Sequence, residues 1–165
     1  MIRVMNTPPK ILAINDARNL ALRRLGSREY SSAEMVRYLR KKGADERVAA
    51  EVVQGLVESR LISDERYAQM MTRYQSGRGK GPAYIRMKLR QKGINAEMSA
   101  VKGMVGETTG ETELDLAKRV VESRYPRALS DKDEAARAYQ ALVRRGFSFE
   151  VARAAVDKRS HVAED

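Results

Sequence analysis

The heptapeptide Leu89-Arg-Gln-Lys-Gly-Ile-Asn95 decides the fold, because near copies of it occur at two other places in the chain. The copies are Leu39-Arg-Lys-Lys-Gly-Ala-Asp45 and Leu142-Val-Arg-Arg-Gly-Phe-Ser148. In each copy a glycine ends a helix-forming stretch and fits the position just past a helix end, where a left-handed backbone is needed. The Asp, Asn or Ser two residues later can cap the next helix by accepting hydrogen bonds from its free N–H groups.

The three glycines of this motif are regularly spaced. Gly43, Gly93 and Gly146 are separated by 50 and 53 residues, which predicts tandem repeats of about 50 residues, each with room for three helices. No segment shows sustained alternation of apolar and polar residues, so we expect no β-sheet. The sequence therefore predicts an all-α fold of three tandem three-helix repeats that form an elongated, curved array.

The repeats can be divided into helices and connections. We predict helices near residues 16–28, 31–42, 45–59, 63–76, 82–92, 95–105, 113–124, 130–145 and 148–158, with Ser31-Ser-Ala-Glu34 as a capping box. The predicted domain plan has these parts: a flexible N-terminal segment 1–15, repeat one 16–62, repeat two 63–106, a linker 107–112, repeat three 113–158 and a flexible tail 159–165.

Apolar residues at helical spacing predict which side chains are buried. Ile85 and Leu89 form the predicted buried stripe of the helix that begins at Pro82. The other predicted core rows are Val48, Val52 and Leu56; Ala49, Val53 and Val57; and Tyr67, Met71 and Tyr74.

Positive charge is concentrated in one part of the chain. The formal net charge is +10, and residues 66–96 hold eight basic residues and no acidic one. Cations near a helix C-terminus are favoured by the helix dipole, which accounts for Arg90 and Lys92 as a solvated helix end. It does not account for Arg78, Lys80 and Arg86, which lie before or early in a helix, where the dipole disfavours positive charge.

An external anion explains these early cations better. Gly77, Gly79 and Gly81 are expected to expose N–H groups beside a helix N-terminus, a ready site for phosphate or for a partner's carboxylates. Tyr84 could stack on bases or lie in the core, and we leave that choice open, whereas we predict Tyr74 in the core. The candidate partner or nucleic-acid-binding residues are Arg73, Arg78, Lys80, Tyr84, Arg86, Lys88, Arg90 and Lys92.

The sequence argues against catalysis and against bound cofactors. It contains no cysteine, its one histidine is His161 near the chain end, and it lacks a nucleotide-binding P-loop. The carboxylates cluster at predicted helix starts, where capping explains them. We expect a non-enzymatic protein without metal or cofactor and, because no apolar run is long enough for a signal peptide or membrane span, a soluble cytoplasmic one.

Several segments resemble the RecX family of regulatory proteins. The most characteristic is Leu61-Ile62-Ser63-Asp64-x-x-Tyr67-Ala68 followed by Lys80-Gly81-Pro82-x-x-Ile85-x-x-x-Leu89-x-x-Lys92-Gly93-Ile94. The other matching segments are Arg28-x-x-Ser31-x-x-Glu34-Met35-x-x-x-Leu39-x-x-Lys42-Gly43 and Arg144-Arg145-Gly146-Phe147. Ser63 departs from the family, which often has Asp or Asn there, although serine also caps helices.

The resemblance implies a function as well as a helical-repeat fold. Proteins of this family bind RecA–DNA filaments and restrain ATP hydrolysis, strand exchange and co-protease activity, and some contact DNA directly. Two alternatives stay open: a direct DNA-binding protein that uses its basic repeats like helix-turn-helix modules, and a helical scaffold whose charge serves solubility. No long exposed heptad pattern asks for a dimer, so we expect a monomer.

Overall fold

The computed structural model describes residues 12–158, and within that range it contains α-helices and no β-strand. The all-α prediction is therefore confirmed. The helices are α1 (Ile14–Leu25), α2 (Ser32–Lys41), α3 (Glu46–Glu58), α4 (Asp64–Gly77), α5 (Pro82–Gln91), α6 (Met98–Thr109), α7 (Glu113–Arg124), α8 (Lys132–Arg144) and α9 (Phe149–Val156).

The described residues form two compact units. One contains residues up to Tyr67 together with Lys92–Ile94, and the other contains residues 68–91 and those from Asn95 onward. The first unit therefore holds α1–α3 and the start of α4, and the second holds the rest of α4 and α5–α9.

The core of the first unit is mainly aliphatic. Its α2 begins as predicted, because Ser31 Oγ accepts a hydrogen bond from Glu34 N and the Glu34 carboxylate accepts one from Ser31 N. The next helix is capped by Asp45, again as predicted. The buried side chains that form the core of the first unit are Ala17, Ala21, Tyr30, Met35, Leu39, Ala44, Ala49, Val52, Val53, Leu56 and Ile62.

In the second unit, α9 packs against α7 and α8, and α5 packs against α6. Ile85 and Leu89 are fully buried, which confirms the predicted stripe of α5. The start of α9 is capped by Ser148, whose Oγ accepts from Val151 N. Other buried apolar side chains are Val101, Val105, Leu116, Ala117, Val120, Val121, Ala138, Ala141, Leu142, Phe147, Ala152 and Ala155.

The glycines that predicted the repeats have the expected backbone. Gly43, Gly93 and Gly146 have φ values of 97°, 81° and 88°, in the left-handed region that glycine adopts without steric cost. Each therefore ends its helix as the sequence predicted.

The boundaries of α6 differ from the prediction. The helix begins at Met98 rather than at Asn95, and Glu97 occupies the N-cap position. It continues to Thr109, so half of the predicted linker 107–112 is helical and the turn is made by Gly110, with φ 73°. Thr109 Oγ1 donates to Val105 O at 2.7 Å, which ties the last turn to the helix. The buried side chains of α6 are Val101 and Val105.

Two predicted core residues are on the surface. Tyr74 is 58% exposed and Val57 is 42% exposed, so both predictions were wrong. Helical spacing places Val57 beside buried Val53, but the buried stripe of α3 is narrower than its apolar stripe.

The start of α1 also differs from the prediction. This helix runs from Ile14 to Leu25 and so includes two residues of the predicted flexible segment 1–15. The rest of that segment up to residue 11, the tail 159–165 and His161 lie outside the described residues.

Candidate partner-binding surface

The turn between α4 and α5 is folded around glycines, but its N–H groups are not available to an anion. Gly79 N donates to Ser76 O at 2.9 Å, Gly81 N to Arg145 O at 2.9 Å and Ala83 N to Gly146 O at 3.0 Å. Arg78 and Lys80 donate their backbone N–H groups to Gln75 O. The predicted anion site on these backbone groups is therefore wrong. The carbonyl oxygens that take up the N–H groups of Gly81 and Ala83 come from residues more than 60 positions away, which no local pattern reveals.

The glycines serve close packing instead. A Cβ atom added at Gly81 would lie 2.5 Å from the carbonyl carbon and oxygen of Gly146. Arg145 also donates through Nη1 to the carbonyl oxygens of Arg78 and Gly79, both at 3.3 Å. The turn is thus held against the α8–α9 turn, which leaves its side chains rather than its backbone as candidates for contact with a partner.

Six cations of this region form no ion pair with a carboxylate between residues 12 and 158. They are named here the α4–α5 cations: Arg73, Arg78, Lys80, Arg86, Lys88 and Arg90. All six residues lie in the second compact unit, and α5 itself carries no acidic residue. Unpaired cations concentrated in this way create a local positive potential that attracts acidic partners.

Aromatic rings hold three of these cations in place. Arg78 Nη1 donates to Tyr74 OH at 3.0 Å, and Arg78 Cζ lies 5.5 Å from the centre of the Tyr74 ring. Lys80 Nζ and Lys88 Nζ lie 4.4 and 5.5 Å from the centre of the Tyr84 ring. Tyr84 is half-buried, so it is neither a fully buried core residue nor a fully exposed ring available for stacking on bases. Such contacts position a cation without neutralising it.

Arg86 and Arg90 line a pocket of about 210 Å³ together with Asn95, Ala96 and Glu97. Arg86 Nε donates to Ala96 O at 3.0 Å, which fixes the plane of the guanidinium and leaves its two terminal nitrogens for a ligand. A guanidinium in this state suits a carboxylate or phosphate that accepts two parallel hydrogen bonds.

Lys92 is separate from the other candidates. It belongs to the first unit, where Lys92 Nζ contacts Glu34 Oε1 at 2.6 Å and Lys92 O accepts from Ser31 Oγ at 2.7 Å. Its charge is therefore compensated within the chain. Arg66, in the same acid-free segment, is likewise paired with Glu29, at 2.7 Å. The partner residues are 58 and 37 positions away, so the composition of the segment alone could not reveal the pairing.

Glu34 is the centre of this internal charge cluster. Burial alone would raise the pKa of its carboxyl, but hydrogen bonds from Arg28 and Lys92 and the charges of both residues outweigh that effect and lower the pKa to about 2. The pKa of nearby Tyr67 is raised, mainly by burial. The cluster is charged at neutral pH and stabilises the fold of the first unit.

The described part of the chain has neither a candidate metal-binding cluster nor a candidate membrane-spanning helix. Among residues 12–158, no group of three or more acidic or histidine side chains is placed to hold a metal ion. In the same range, no helix combines the length and apolar character needed to span a bilayer. The α4–α5 cations are the strongest feature for recognition.

Three family models match consecutive parts of the chain. They describe the first, second and third three-helix domains of RecX and match residues 17–56, 63–100 and 111–156. The arrangement of three tandem three-helix repeats is therefore confirmed. Among named relatives, the regulatory protein RecX of Halorhodospira halophila is 34% identical over 142 residues, with 84% of each chain covered. That of Pseudomonas entomophila is 33% identical over 155 residues, with 92% of each chain covered.

Solved structures agree with the fold. The crystal structure of RecX from Lactobacillus salivarius superposes with a TM-score of 0.75 at 22% identity, covering 90% of this chain and 97% of the other. A second crystal structure of a regulatory protein RecX has a TM-score of 0.69 at 26% identity, with coverage of 84% and 70%. The chain thus belongs to the RecX family of regulatory proteins.

Proposed function

We propose that this protein is a non-enzymatic regulator that binds RecA–DNA filaments in the cytoplasm and inhibits ATP hydrolysis, strand exchange and co-protease activity. The proposal rests on membership of the RecX family together with one observation of this chain, the six α4–α5 cations that pair with no carboxylate among residues 12–158. A filament that carries DNA phosphates and acidic protein side chains is the kind of partner that such cations attract.

Inhibition of this kind needs no catalysis by the protein. Each of the three repeats presents its own surface, and several modest contacts on linked modules give a strong overall attachment because the later contacts are intramolecular. A protein attached along a filament blocks the approach of a second DNA duplex and restrains the movements of the subunits it contacts. We expect lower ATPase and strand-exchange rates when the amount of DNA in the reaction is held constant.

The test adds the purified protein to RecA of the same organism on single-stranded DNA with ATP. We expect ATPase and strand exchange to fall as the protein approaches the stoichiometry of the filament, with RecA omitted as the control for any hydrolysis by the preparation. Unchanged rates at a stoichiometric amount would contradict the proposal.

The alternative function is direct DNA binding through helix-turn-helix-like repeats, and the same six cations favour it. A direct binder retains its affinity for bare DNA without RecA, and that affinity falls by about 0.9 decades per decade of salt for each phosphate contact. Comparing bare with RecA-coated single strands at several salt concentrations separates the two functions. We expect tighter binding to the coated strand.

The other parts of the proposal concern organisation. We propose that the repeats act as units with the boundaries 16–62, 63–106 and 113–158 and that the protein works as a monomer. The candidate residues retained for binding are the α4–α5 cations and Tyr84, whereas Lys92 is left out because Glu34 compensates its charge.

A further inference from the structure

Phe149 is an exposed aromatic residue in a chain that has only two phenylalanines. It is the first residue of α9 and is 67% exposed, whereas Phe147, two residues earlier, is buried. A single exposed apolar side chain is common on protein surfaces. Phe149 differs because it lies at the edge of a hollow of about 350 Å³.

The hollow is lined mainly by apolar groups. Pro82 and Ala83 of α5, Met98 of α6 and Val143 of α8 contribute to it, with Phe149 at the start of α9. All of these residues lie in the second compact unit. Exposed apolar concavities of this kind are typical of sites that receive a partner's side chain.

The charged groups at the hollow are already satisfied. Glu113 accepts a hydrogen bond from Ser148 N at 2.8 Å and pairs with Lys102 Nζ at 2.9 Å, and its side chain is only 9% exposed. Among the described residues that line the hollow, no charge is therefore left uncompensated. An apolar ligand group could enter without leaving a buried charge unpaired.

The two-arginine pocket adjoins this hollow. Arg86 follows Ala83 by three residues on α5, a spacing that places both on one side of the helix. On the neighbouring segment, Glu97 of the arginine pocket directly precedes Met98 of the hollow. The two features thus form one composite surface, apolar at the α9 end and cationic at the α5 C-terminal end.

We infer that this composite surface docks a segment of a protein partner that carries a bulky apolar side chain and, nearby, a carboxylate. The apolar side chain enters the hollow beside Phe149, and the carboxylate binds Arg86 and Arg90. Complementarity selects this occupant, because Arg86 and Arg90 attract a carboxylate and because a DNA strand offers no apolar side chain for the hollow. The inference rests on the proposed function and names the filament's protein component as the partner of this surface.

The first experiment measures binding to RecA-coated and to bare single-stranded DNA by fluorescence anisotropy, for the wild type, Phe149→Ser and Arg90→Glu. We expect each variant to bind the coated strand about tenfold more weakly, the scale of a central interface residue. We expect Phe149→Ser to leave affinity for bare DNA unchanged. The matched controls are Val57→Ser and Arg47→Glu, an exposed valine and an exposed arginine of α3 in the first unit, which should bind like the wild type.

The outcomes distinguish the possible occupants. A wild type that fails to bind coated strands overturns the proposed function, whereas a wild type that binds no better than Phe149→Ser overturns only this inference. An equal loss on bare DNA would make nucleic acid the ligand and overturn it. Sedimentation showing a wild-type dimer that Phe149→Ser abolishes would make a second copy the occupant and overturn it too.

A second experiment needs no recombinase. The ¹⁵N-labelled protein is titrated with millimolar acetyl-Ala-Leu-Ala-Glu-Glu-Ala-amide, and with the same peptide carrying Ser for Leu or Gln for both Glu. We expect the amide signals of Arg90, Met98 and Phe149 to move with the first peptide and much less with either control. Equal shifts for all three peptides, or none for any, would contradict the inference.

Discussion

The amide N–H of Gly81 donates to the carbonyl oxygen of Arg145 at 2.9 Å. This hydrogen bond joins the turn before α5 to the turn after α8, and it leaves no room for a side chain at position 81. The glycine-rich turn is therefore a packing element that fixes where the neighbouring cations lie. The side chains of Arg78 and Lys80 extend from this fixed turn.

We predict that Gly81→Ala destabilises the protein. The added Cβ would lie 2.5 Å from backbone atoms of Gly146 and Phe147, which cannot rotate away as a side chain can. The expected loss in the free energy of unfolding is about 1–3 kcal/mol, as for other overpacked sites. Urea unfolding followed by circular dichroism measures it.

The control for this change is Gly77→Ala in the same connection. A Cβ at Gly77 meets no atom within 4 Å, and the residue ends α4. Its substitution is expected to leave stability unchanged or to raise it by about 0.5–1 kcal/mol. Equal stabilities for the two variants would show that the contact with the α8–α9 turn is not formed.

We predict that Leu89→Asp unfolds the second unit. Leu89 is fully buried on α5, and a carboxylate there has no compensating partner, so its burial costs several kcal/mol. Met87→Asp, two residues earlier on the exposed side of the same helix, is the matched control and should retain the wild-type thermal midpoint. A midpoint for Leu89→Asp that equals that of the wild type would contradict the register of α5.

We predict that Glu34 makes stability depend on acid pH. Because the folded pKa of about 2 lies below the ordinary value of 4.5, the Glu34 carboxylate stabilises the fold above pH 4.5, and this contribution is lost as the pH falls through 2. The wild type should exceed Glu34→Gln in free energy of unfolding by about 2 kcal/mol at pH 6, a value reduced for the partial exposure of Arg28 and Lys92. The difference should shrink steadily between pH 4.5 and 2.

Urea unfolding of both proteins across this pH range checks the prediction. Using the difference between them removes the contributions of the other carboxylates. Glu107→Gln, the same change at an exposed residue of α6, is the control for loss of a charge as such. A gap between wild type and Glu34→Gln that stays constant from pH 6 to 2 would contradict the ion-pair cluster.

The sequence predicted correctly most of the features that depend on residues close together in the chain, such as helix caps and turns. A left-handed residue after a helix requires glycine at Gly43, Gly93 and Gly146, and an N-cap requires the side chains found at Ser31 and Ser148, so these turns were predicted correctly. Asn95 also has a side chain that can cap a helix, but the prediction that it caps α6 was wrong, because α6 begins only at Met98.

The parts of the site that sequence reasoning missed depend on contacts between distant positions. Whether a cation is free cannot be read from its neighbours in sequence, since Lys92 is compensated by Glu34 whereas Arg90 has no carboxylate partner among residues 12–158. The hollow beside Phe149 combines residues of five helices with the turn residues Gly146, Phe147 and Ser148, and no periodicity within one helix predicts it. Tyr74 was misplaced because an apolar row at helical spacing does not fix how wide the buried stripe is.

We propose above all that the α4–α5 cations attach the protein to an acidic filament. The most direct measurement compares the affinity of the triple variant Arg78→Glu/Lys80→Glu/Arg86→Glu for RecA-coated single-stranded DNA with that of Arg47→Glu/Lys132→Glu/Arg137→Glu, which changes the net charge equally at exposed residues of α3 and α8. We predict that the first variant binds at least about tenfold more weakly than the wild type at an unchanged thermal midpoint and that the second binds within about twofold of it. Equal binding by the two variants would contradict the claim.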